Sequence, residues 1–324
     1  MHLLRPQVVG WALLYGLVAA CTHNALPADR EPLAVGEHQR VLNGVRLYYR
    51  VAGTDGPEWQ APVLFLHGGP GYNSYSFARL MGPRLEKSRR MVYLDQRGCG
   101  RSERPWDDSY SLDVQLADLE ALRRELGLER WVLLGHSLGA TLALEYAARY
   151  PEHVAGVVYV SGLSDSSASF ASWKKALERQ HPGRLAITEL PGETSDYRQV
   201  MRALRGLDAQ AFFNRLQFHD AVYQQQQQAV DEESGLRNTG ELSRAMFTTE
   251  LPTYRFAAAE RVRTPVLVIG GRHDESIGVE TLVALSRAVT GATWLEYERS
   301  GHFPYLEEGE RFERDVTRFL ASLP

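Results

Sequence analysis

The stretch Gly135-His136-Ser137-Leu138-Gly139 follows the apolar run Trp131–Leu134 and precedes the helix-forming segment Ala140–Tyr150. This order predicts a strand, a sharp turn and a helix. The glycines two positions either side of the serine let the backbone fold tightly. Ser137 would then be held in a strained conformation, with its hydroxyl exposed at the helix N-terminus. The pattern G-x-S-x-G is typical of a nucleophile elbow, although a turn serine without a catalytic role also fits the pentapeptide.

Apolar runs alternate with helical segments on both sides of this motif. They predict buried parallel strands at Pro62–Leu66, Met91–Leu94, Gly156–Ser161, Pro265–Ile269 and Thr293–Tyr297. The alternation indicates an α/β fold, in which a mostly parallel central sheet carries helices on both faces. Chemistry in such sheets collects at the carboxyl ends of the strands, so the residues that follow these runs are the candidates for a site.

We divide the chain into five segments. These are a signal peptide at 1–20, a polar tether at 21–40, a first core part at 41–162, a helical cap at 163–253 and a second core part at 254–324. Alternating apolar residues from Val41 to Val51 around Asn43-Gly44 predict a hairpin at the start of the core. Within the cap, the glutamine run Gln224–Gln228 is interpreted as one solvated helix face.

The overall composition excludes some classes of partner. The 324 residues have a formal net charge of −4 and no run rich in Lys and Arg, so no nucleic acid partner is expected. The chain has two cysteines, Cys21 and Cys99, and no disulfide is expected if Cys21 is modified. Cysteine and histidine do not occur together at ligand spacing, so the sequence predicts no metal site.

The N-terminal stretch Val8–Ala20 is almost wholly apolar. It is short for a membrane span and is typical of a secretory signal. Val18-Ala19-Ala20-Cys21 resembles the lipobox of bacterial lipoproteins, in which the cysteine is lipidated and becomes the N-terminus. The resemblance implies a lipid-anchored protein of the bacterial cell envelope, on the periplasmic side, with Cys21 in contact with the membrane. A signal that is simply cleaved, giving a secreted protein, and an uncleaved N-terminal anchor remain alternatives.

A serine nucleophile needs an adjacent base, and the base needs an acid to orient it. In folds with this elbow, the acid and then the histidine follow the serine along the chain. Asp274 follows a predicted strand and a Gly-Gly turn, and His302 lies in a Ser-Gly-His loop after the last strand. We therefore predict a triad of Ser137, Asp274 and His302. His136, which should point away from the serine, and His273, beside the acid, are the alternatives for the base.

The negative oxygen that forms during acyl transfer needs fixed backbone donors. One predicted donor is the N–H of Leu138, directly after the nucleophile. The other is the N–H of Gly69, in the loop after the Pro62–Leu66 strand, since Pro70 has no N–H. Glycines at 68 and 69 would also let a substrate approach, although a tight structural turn favours the same residues. This chemistry requires no cofactor.

Two loop motifs carry a family resemblance. His67-Gly68-Gly69-Pro70-Gly71 and the segment Asp95-Gln96-Arg97-Gly98-Cys99-Gly100-Arg101-Ser102 are similar to those of the proline iminopeptidase family, serine aminopeptidases of the α/β-hydrolase fold. The resemblance covers residues 40–162 and 254–324. It implies cleavage of short peptides through an acyl-enzyme. The second motif is interpreted as structural, with neither Cys99 nor Arg97 catalytic.

The chain departs from that family at two places. The family has Gly-Gly-Ser-Trp-Gly at the elbow, whereas this chain has Gly-His-Ser-Leu-Gly, which is common among esterases. The family also holds the α-amine of the substrate with cap glutamates, one of them in a Trp-Glu context. The comparable stretch here, residues 211–216, lacks that glutamate. The acidic residues of the cap that could replace it are Glu189, Glu193, Asp220 and Glu241.

Three functions follow from these patterns. The first is a serine hydrolase that cleaves a small amide or ester, most like an aminopeptidase that acts on short peptides. The second is a carboxylesterase or lactonase with an apolar acyl pocket beneath the cap, which the elbow leucine favours. The third is a non-catalytic binding protein of the envelope, which a damaged triad would support. The intact order of Ser137, Asp274 and His302 favours an enzyme.

Overall fold

The structure is a computed structural model, and it describes residues 33–55, 60–237 and 240–324. The predicted signal peptide and the lipidation site Cys21 lie outside the described residues, as does most of the predicted tether. Within the described ranges, no helix has both the length and the apolar character that crossing a membrane requires.

The part of the chain that the structure describes forms one sheet of eight strands. In chain order these are β1 Gly36–Leu42, β2 Val45–Gly53, β3 Val63–Leu66, β4 Arg90–Asp95, β5 Trp131–His136, β6 Val154–Val160, β7 Val266–Gly271 and β8 Thr293–Tyr297. Their order across the sheet is β1-β2-β4-β3-β5-β6-β7-β8. The pairs β1–β2 and β2–β4 are antiparallel, and the other pairs are parallel. The predicted α/β-hydrolase architecture is therefore confirmed.

Helices fill the connections between the strands from β3 onward, and two more follow β8. Those of the sheet domain are α1 Tyr75–Leu80, α2 Gly82–Leu85, α3 Leu112–Glu125, α4 Leu138–Arg149, α11 Val279–Ala288, α12 Pro304–Glu307 and α13 Gly309–Ala321. Between β6 and β7 lie α5 Ser166–Gln180, α6 Arg184–Ile187, α7 Asp196–Ala203, α8 Ala209–Gln217, α9 Ala221–Ser234 and α10 Glu241–Thr248. These six helices form the insertion that the sequence predicted as a cap, and we call it the cap.

The predicted hairpin is present, but it begins earlier than the sequence indicated. β1 starts at Gly36, so residues 36–40 belong to the sheet and not to a tether. Leu42 pairs with Val45 across a turn in which Asn43 and Gly44 both have positive φ, as a two-residue hairpin turn requires. β1 is an edge strand whose side chains alternate between half-buried and exposed. Backbone pairing and not apolar patterning holds it, which is why the sequence did not reveal its start.

The central strands are buried on both faces, as their continuous apolar runs predicted. Leu133 packs in the apolar core on one face of the sheet, and its neighbour Leu134 packs in the core on the other. The same alternation places Leu64 on the first face and Phe65 on the second. Because consecutive side chains of a strand point to opposite faces, each run needs apolar residues at every position. This double layer fixes the carboxyl ends of the strands.

Candidate active site

The predicted strand, turn and helix are present around Ser137. The residue lies between β5 and α4 with φ 55° and ψ −123°, a conformation that non-glycine residues rarely adopt. A Cβ atom on Gly135 would lie 2.3 Å from the carbonyl oxygen of Gly139, and one on Gly139 would lie 2.1 Å from that of Leu66. Close packing therefore excludes larger residues at both glycines. The side chain of Ser137 lines a cavity.

Asp274 and His302 meet at the carboxyl edge of the sheet. The Nδ1 atom of His302 lies 2.8 Å from Oδ2 of Asp274. Oδ1 of the same carboxylate accepts bonds from the Ser276 hydroxyl at 2.6 Å, the Ser276 N–H at 3.0 Å and the Ile277 N–H at 3.2 Å. Burial raises the pKa of Asp274, but His302 and these donors outweigh it and hold the pKa below its usual value. The carboxylate therefore stays ionised beside the imidazole.

Ser137 and His302 line the same two cavities. Asp274, which His302 contacts, follows β7, so the three predicted residues lie after β5, β7 and β8 at one edge of the sheet. Their catalytic roles stay a prediction. The other two candidate bases have different partners. Nε2 of His136 donates to the carbonyl of His302 at 2.9 Å, and burial lowers the pKa of His136 to about 3. Nε2 of His273 donates to the carbonyl of Glu298 at 3.1 Å. Of the three candidate bases, His302 is therefore the one whose ring nitrogen contacts Asp274.

The loop after β3 packs directly against the serine. A Cβ atom on Gly68 would lie 2.8 Å from Cβ of Ser137. Gly69 has φ 121°, and a Cβ there would lie 2.5 Å from the N atom of Gly71, so the loop requires glycine. Gly69 and Leu138 both line the smaller cavity beside Ser137. Their role as oxyanion donors stays a prediction.

His67 joins the loops that follow β3 and β4. Its Nδ1 donates to the carbonyl of Gly68 at 2.9 Å, and its Nε2 accepts the N–H of Gln96 at 3.0 Å. Since a carbonyl only accepts and an N–H only donates, these bonds fix the neutral tautomer. Burial agrees with this assignment, because it lowers the pKa of His67 to about 4.

The segment Asp95–Ser102 has the contacts of a structural turn. Asp95 accepts the N–H of Ser74 at 2.8 Å and Nε of Arg101 at 2.7 Å. Arg97 is buried against Asp118 at 2.6 Å. The Cys99 thiol is buried and donates to the carbonyl of Arg97 at 3.4 Å, and burial raises its pKa. The structural interpretation of this motif agrees with these contacts.

Two cavities of different chemistry meet at the serine. The larger, of about 450 Å³, has a polar wall from the cap. The smaller, of about 190 Å³, has a mainly apolar wall. The apolar side chains that the cap contributes to it are Leu163, Phe170, Trp173, Phe213, Phe247 and Leu251. Both cavities are bordered by Gly69, Ser137, Gln217 and His302. The site therefore fits a substrate with one polar and one apolar part.

Carboxamide side chains from two cap helices form the polar wall. They are Gln210, Asn214 and Gln217 on α8, and Gln224, Gln227 and Gln228 on α9. Spacings of three and four residues put each set on one helix face. The interpretation of the glutamine run as one solvated face is therefore wrong. Five consecutive residues cover more than one turn of a helix, so some of them must face the cavity while Gln225 and Gln226 stay exposed.

Asp231, which sequence reasoning missed, is the carboxylate that the cap contributes to the polar wall. It accepts a bond from the hydroxyl of Tyr72, to which Nε2 of Gln227 also donates at 3.3 Å. Burial raises the pKa of Asp231. In the sequence, Asp231 lies seven residues after Gln224, a spacing that puts both on one face of a helix. Without the structure of the cap, this spacing does not show that the face lines a cavity.

The acidic cap residues that the sequence indicated as possible partners of the substrate α-amine do not line either cavity. Glu193 lies 3.0 Å from Nη2 of Arg202. Asp220 caps α9 by accepting the N–H of Val222 at 2.9 Å. Glu241 lies 3.4 Å from Nη1 of Arg104, and Glu189 lines a separate pocket on the cap. Capping and ion pairing account for most of these residues.

Comparison with known proteins defines the class. A family model described as alpha/beta hydrolase fold matches residues 61–309, and the chain belongs to this family of hydrolases. Over 283 residues it is 28% identical to a proline iminopeptidase of Heyndrickxia coagulans, covering 81% of this chain and 91% of the relative. A 2-hydroxymuconate semialdehyde hydrolase of a Pseudomonas species is 30% identical over 80% of this chain and 87% of its own length.

A solved structure agrees with these relatives. The proline iminopeptidase-related protein of Thermus thermophilus superposes with a TM-score of 0.73 and 27% identity, over 89% of this chain and 97% of that protein. The chain is thus a hydrolase of the α/β-hydrolase family that resembles proline iminopeptidases, as its loop motifs predicted.

Proposed function

We propose that the chain is a serine aminopeptidase that acts on short peptides through Ser137, His302 and Asp274. The observation that carries the proposal is the 2.8 Å contact between His302 and Asp274 beside the cavity that Ser137 lines. A neutral imidazole held by an ionised carboxylate is the base that a serine hydroxyl needs. The buried hydrogen bonds around Asp274 fix the orientation of that base.

The reaction then follows from these positions. The hydroxyl oxygen of Ser137 attacks the scissile carbonyl while His302 takes its proton, and Asp274 stabilises the resulting imidazolium. The N–H groups of Gly69 and Leu138 bind the negative oxygen of the tetrahedral intermediate. His302 returns the proton to the leaving amine, which departs and leaves an ester on Ser137. Water then attacks that ester while His302 takes a proton from it. As the bond between the acyl carbon and Oγ of Ser137 breaks, His302 returns this proton to Oγ, which frees the carboxylic acid and restores the serine.

The position of Asp231 favours a substrate that carries an amine. Its carboxylate lies in the polar wall next to Gln227, which is 9% exposed and whose Oε1 is buried without a partner among the described residues. Two acceptors on one helix face fit a donor-rich group such as the α-ammonium of a peptide. The small apolar cavity would hold the side chain of the first residue. The names of the iminopeptidase relatives favour the same substrate class.

A carboxylesterase or lactonase is the second candidate. The apolar cavity favours it, because Leu138 of the elbow lines a pocket that would accept an apolar acyl chain. A hydrolysis panel separates the two functions. It sets proline and other aminoacyl anilides against p-nitrophenyl esters and lactones. Turnover of aminoacyl anilides supports the aminopeptidase, and ester or lactone turnover without it supports the second candidate.

The serine mechanism is tested with a fluorophosphonate probe, which reacts with activated serines. The wild type should be labelled and Ser137→Ala should not, because the probe requires the nucleophile. Ser243→Ala is the matched control, since Ser243 lines the apolar cavity without a role in the proposed chemistry. It should be labelled like the wild type. Equal labelling of wild type and Ser137→Ala would refute the mechanism.

We also propose that Cys21 carries a lipid that anchors the enzyme at the cell envelope. The support is the sequence Val18-Ala19-Ala20-Cys21 after an apolar stretch. Metabolic labelling with a palmitate analogue should mark the wild type and not Cys21→Ser. Undiminished label in the variant would count against the anchor, and a wild type that is exported but unlabelled would support simple secretion.

A further inference from the structure

Glu307 lies five residues after His302, at the end of α12, and its side chain is buried. Its carboxylate accepts three backbone N–H groups. Oε2 accepts from Gly301 at 2.5 Å, and Oε1 accepts from His219 at 2.8 Å and from Asp220 at 3.1 Å. Gly301 directly precedes the proposed base, whereas His219 and Asp220 lie between α8 and α9 of the cap. One carboxylate therefore joins the His302 loop to the cap.

Residues 216–220, which we call the cap linker, hold both catalytic loops by further bonds. The N–H of His302 donates to the carbonyl of Gln217 at 2.5 Å. The N–H of Glu275, directly after Asp274, donates to the carbonyl of Leu216 at 3.0 Å. A Cβ atom on Gly301 would lie 2.2 Å from the carbonyl oxygen of Gln217. The loops of the acid and the base thus rest directly on the cap linker.

Placing a carboxylate in this position is costly. Burial disfavours its charge and raises the pKa of Glu307, while the three N–H donors oppose that shift. A glutamine of the same shape would have a single accepting oxygen, so it would leave either Gly301 or the linker amides facing its NH₂ group. The ionised carboxylate is the side chain that accepts on both sides.

We propose that Glu307 is a positioning residue that sets His302 relative to Ser137 by clamping the His302 loop to the cap linker. The proposal rests on the proposed function, in which His302 is the base. Gln217 of the linker borders both cavities, so a bound substrate touches the same segment that holds His302. Glu307 itself acts through backbone amides and not on the substrate.

The test is Glu307→Gln, measured with the best substrate of the hydrolysis panel. We expect kcat to fall by ~10²-fold, the loss typical of a small misplacement of a catalytic group, while KM stays near the wild-type value. The rate of fluorophosphonate labelling should fall in parallel, because His302 also activates Ser137 toward the probe. A purely structural role would lower the melting temperature without this selective loss of kcat.

Glu120→Gln is the matched control. Glu120 is also a buried carboxylate, and it bonds Arg123, Arg124 and Tyr146, none of which borders the two cavities. It should lower stability and leave kcat unchanged. If Glu307→Gln does not fold, Glu307→Asp replaces it. Aspartate keeps the negative charge, but its side chain is one methylene shorter. Glu307→Asp should therefore also lower kcat without changing KM, by a smaller factor than Glu307→Gln.

The outcomes separate the two proposals. A folded Glu307→Gln with the kcat and labelling rate of Glu120→Gln overturns the positioning role and leaves the serine mechanism standing if Ser137→Ala is unlabelled. Labelling of Ser137→Ala at the wild-type rate overturns both, since His302 would then have no serine to activate. A raised KM with unchanged kcat would also overturn the positioning role, because it would place the effect of Glu307 in substrate binding.

Discussion

The phenol of Tyr72 donates a hydrogen bond to the carboxylate of Asp231, and both residues border the polar cavity. Tyr72 follows the glycine loop that is predicted to hold the oxyanion, whereas Asp231 lies on α9 of the cap. The bond therefore ties the part of the wall that would recognise an amine to the part that would stabilise the reaction. A change at Asp231 should affect substrates according to whether they carry an amine.

Asp231→Asn should raise the KM for aminoacyl anilides by about 10-fold or more, because a hydrogen bond to a charged group contributes ~1.5–3 kcal/mol. The asparagine can still accept from Tyr72, so the wall should keep its shape. Steady-state kinetics on free and N-acetylated aminoacyl anilides measure the effect. Glu233→Gln, on an exposed part of the same helix, is the control. An equal loss on amine-free esters would exclude an amine-binding role.

The sequence predicted those parts of the fold in which the residue pattern is compatible with only one local structure. Continuous apolar runs have to be buried on both faces, and so β3 to β7 were placed correctly within one or two residues at their ends. β1 was missed before Val41 because an edge strand with polar side chains is held by backbone bonds. Patterns of side chains carry little information about such bonds.

The residues of the candidate site also fall into two groups, those that the sequence predicted and those that it missed. Ser137, Asp274 and His302 could be placed at the carboxyl edge of the sheet because Ser137 directly follows β5, and Asp274 and His302 lie in the loops that follow β7 and β8. Asp231 and Glu307 could not, because their partners are far away in the sequence. Tyr72 lies 159 residues from Asp231, and His219 lies 88 residues from Glu307. Their roles depend on how the cap lies against the sheet domain.

Asp274→Asn should lower kcat by ~10⁴-fold, because an amide in this position no longer stabilises the imidazolium or selects the right tautomer of His302. Neighbouring Glu275 provides the control. It is paired with Arg179 and does not border the cavities, so Glu275→Gln should stay near the wild-type rate. Steady-state kinetics measure kcat, and single-turnover kinetics with the enzyme in excess of substrate at a saturating concentration isolate the acylation step. A loss below about 10-fold in Asp274→Asn would mean that another group orients the base.

Gly69→Ala should lower kcat by ~10²-fold or more, the usual loss for one oxyanion donor. Its Cβ would lie 2.5 Å from the N atom of Gly71 and 2.8 Å from that of Tyr72, so the loop must move. Gly71→Ala is a matched control, because its φ of 94° is also positive but the nearest atom is 4.0 Å away. It should have a milder effect on kcat. Equal losses in the two variants would mean that backbone strain alone explains them.

Phe213→Ala should enlarge the apolar cavity and shift activity toward longer acyl chains. Phe213 lines that cavity and packs edge-on against Trp173 at 5.0 Å. The ratio of kcat/KM for hexanoyl over acetyl p-nitrophenyl esters should rise by about 10-fold. Its neighbour Phe212 is buried in the core of the cap and does not line the cavity. Phe212→Ala should lower stability without changing the ratio, and a changed ratio there would refute the assignment.

Two buried histidines predict that the fold loses stability in mild acid. Burial lowers the pKa of His67 to about 4 and that of His136 to about 3, from an ordinary value of 6.5. The folded state then binds fewer protons than the unfolded state. Their stabilising contribution is complete above about pH 6.5 and is lost as the pH falls toward 4 and 3. At about pH 5 each histidine should lower the free energy of unfolding by ~2 kcal/mol relative to neutral pH.

His136→Phe tests this linkage. The variant loses the bond from Nε2 to the carbonyl of His302, so its stability should drop at every pH. The difference in unfolding free energy between about pH 7.5 and about pH 5 should nevertheless shrink by ~2 kcal/mol, because one titrating group is gone. Denaturant unfolding at the two pH values measures both quantities independently. A pH difference as large as in the wild type would show that protonation of His136 does not drive the acid lability, and that His67 or other groups do.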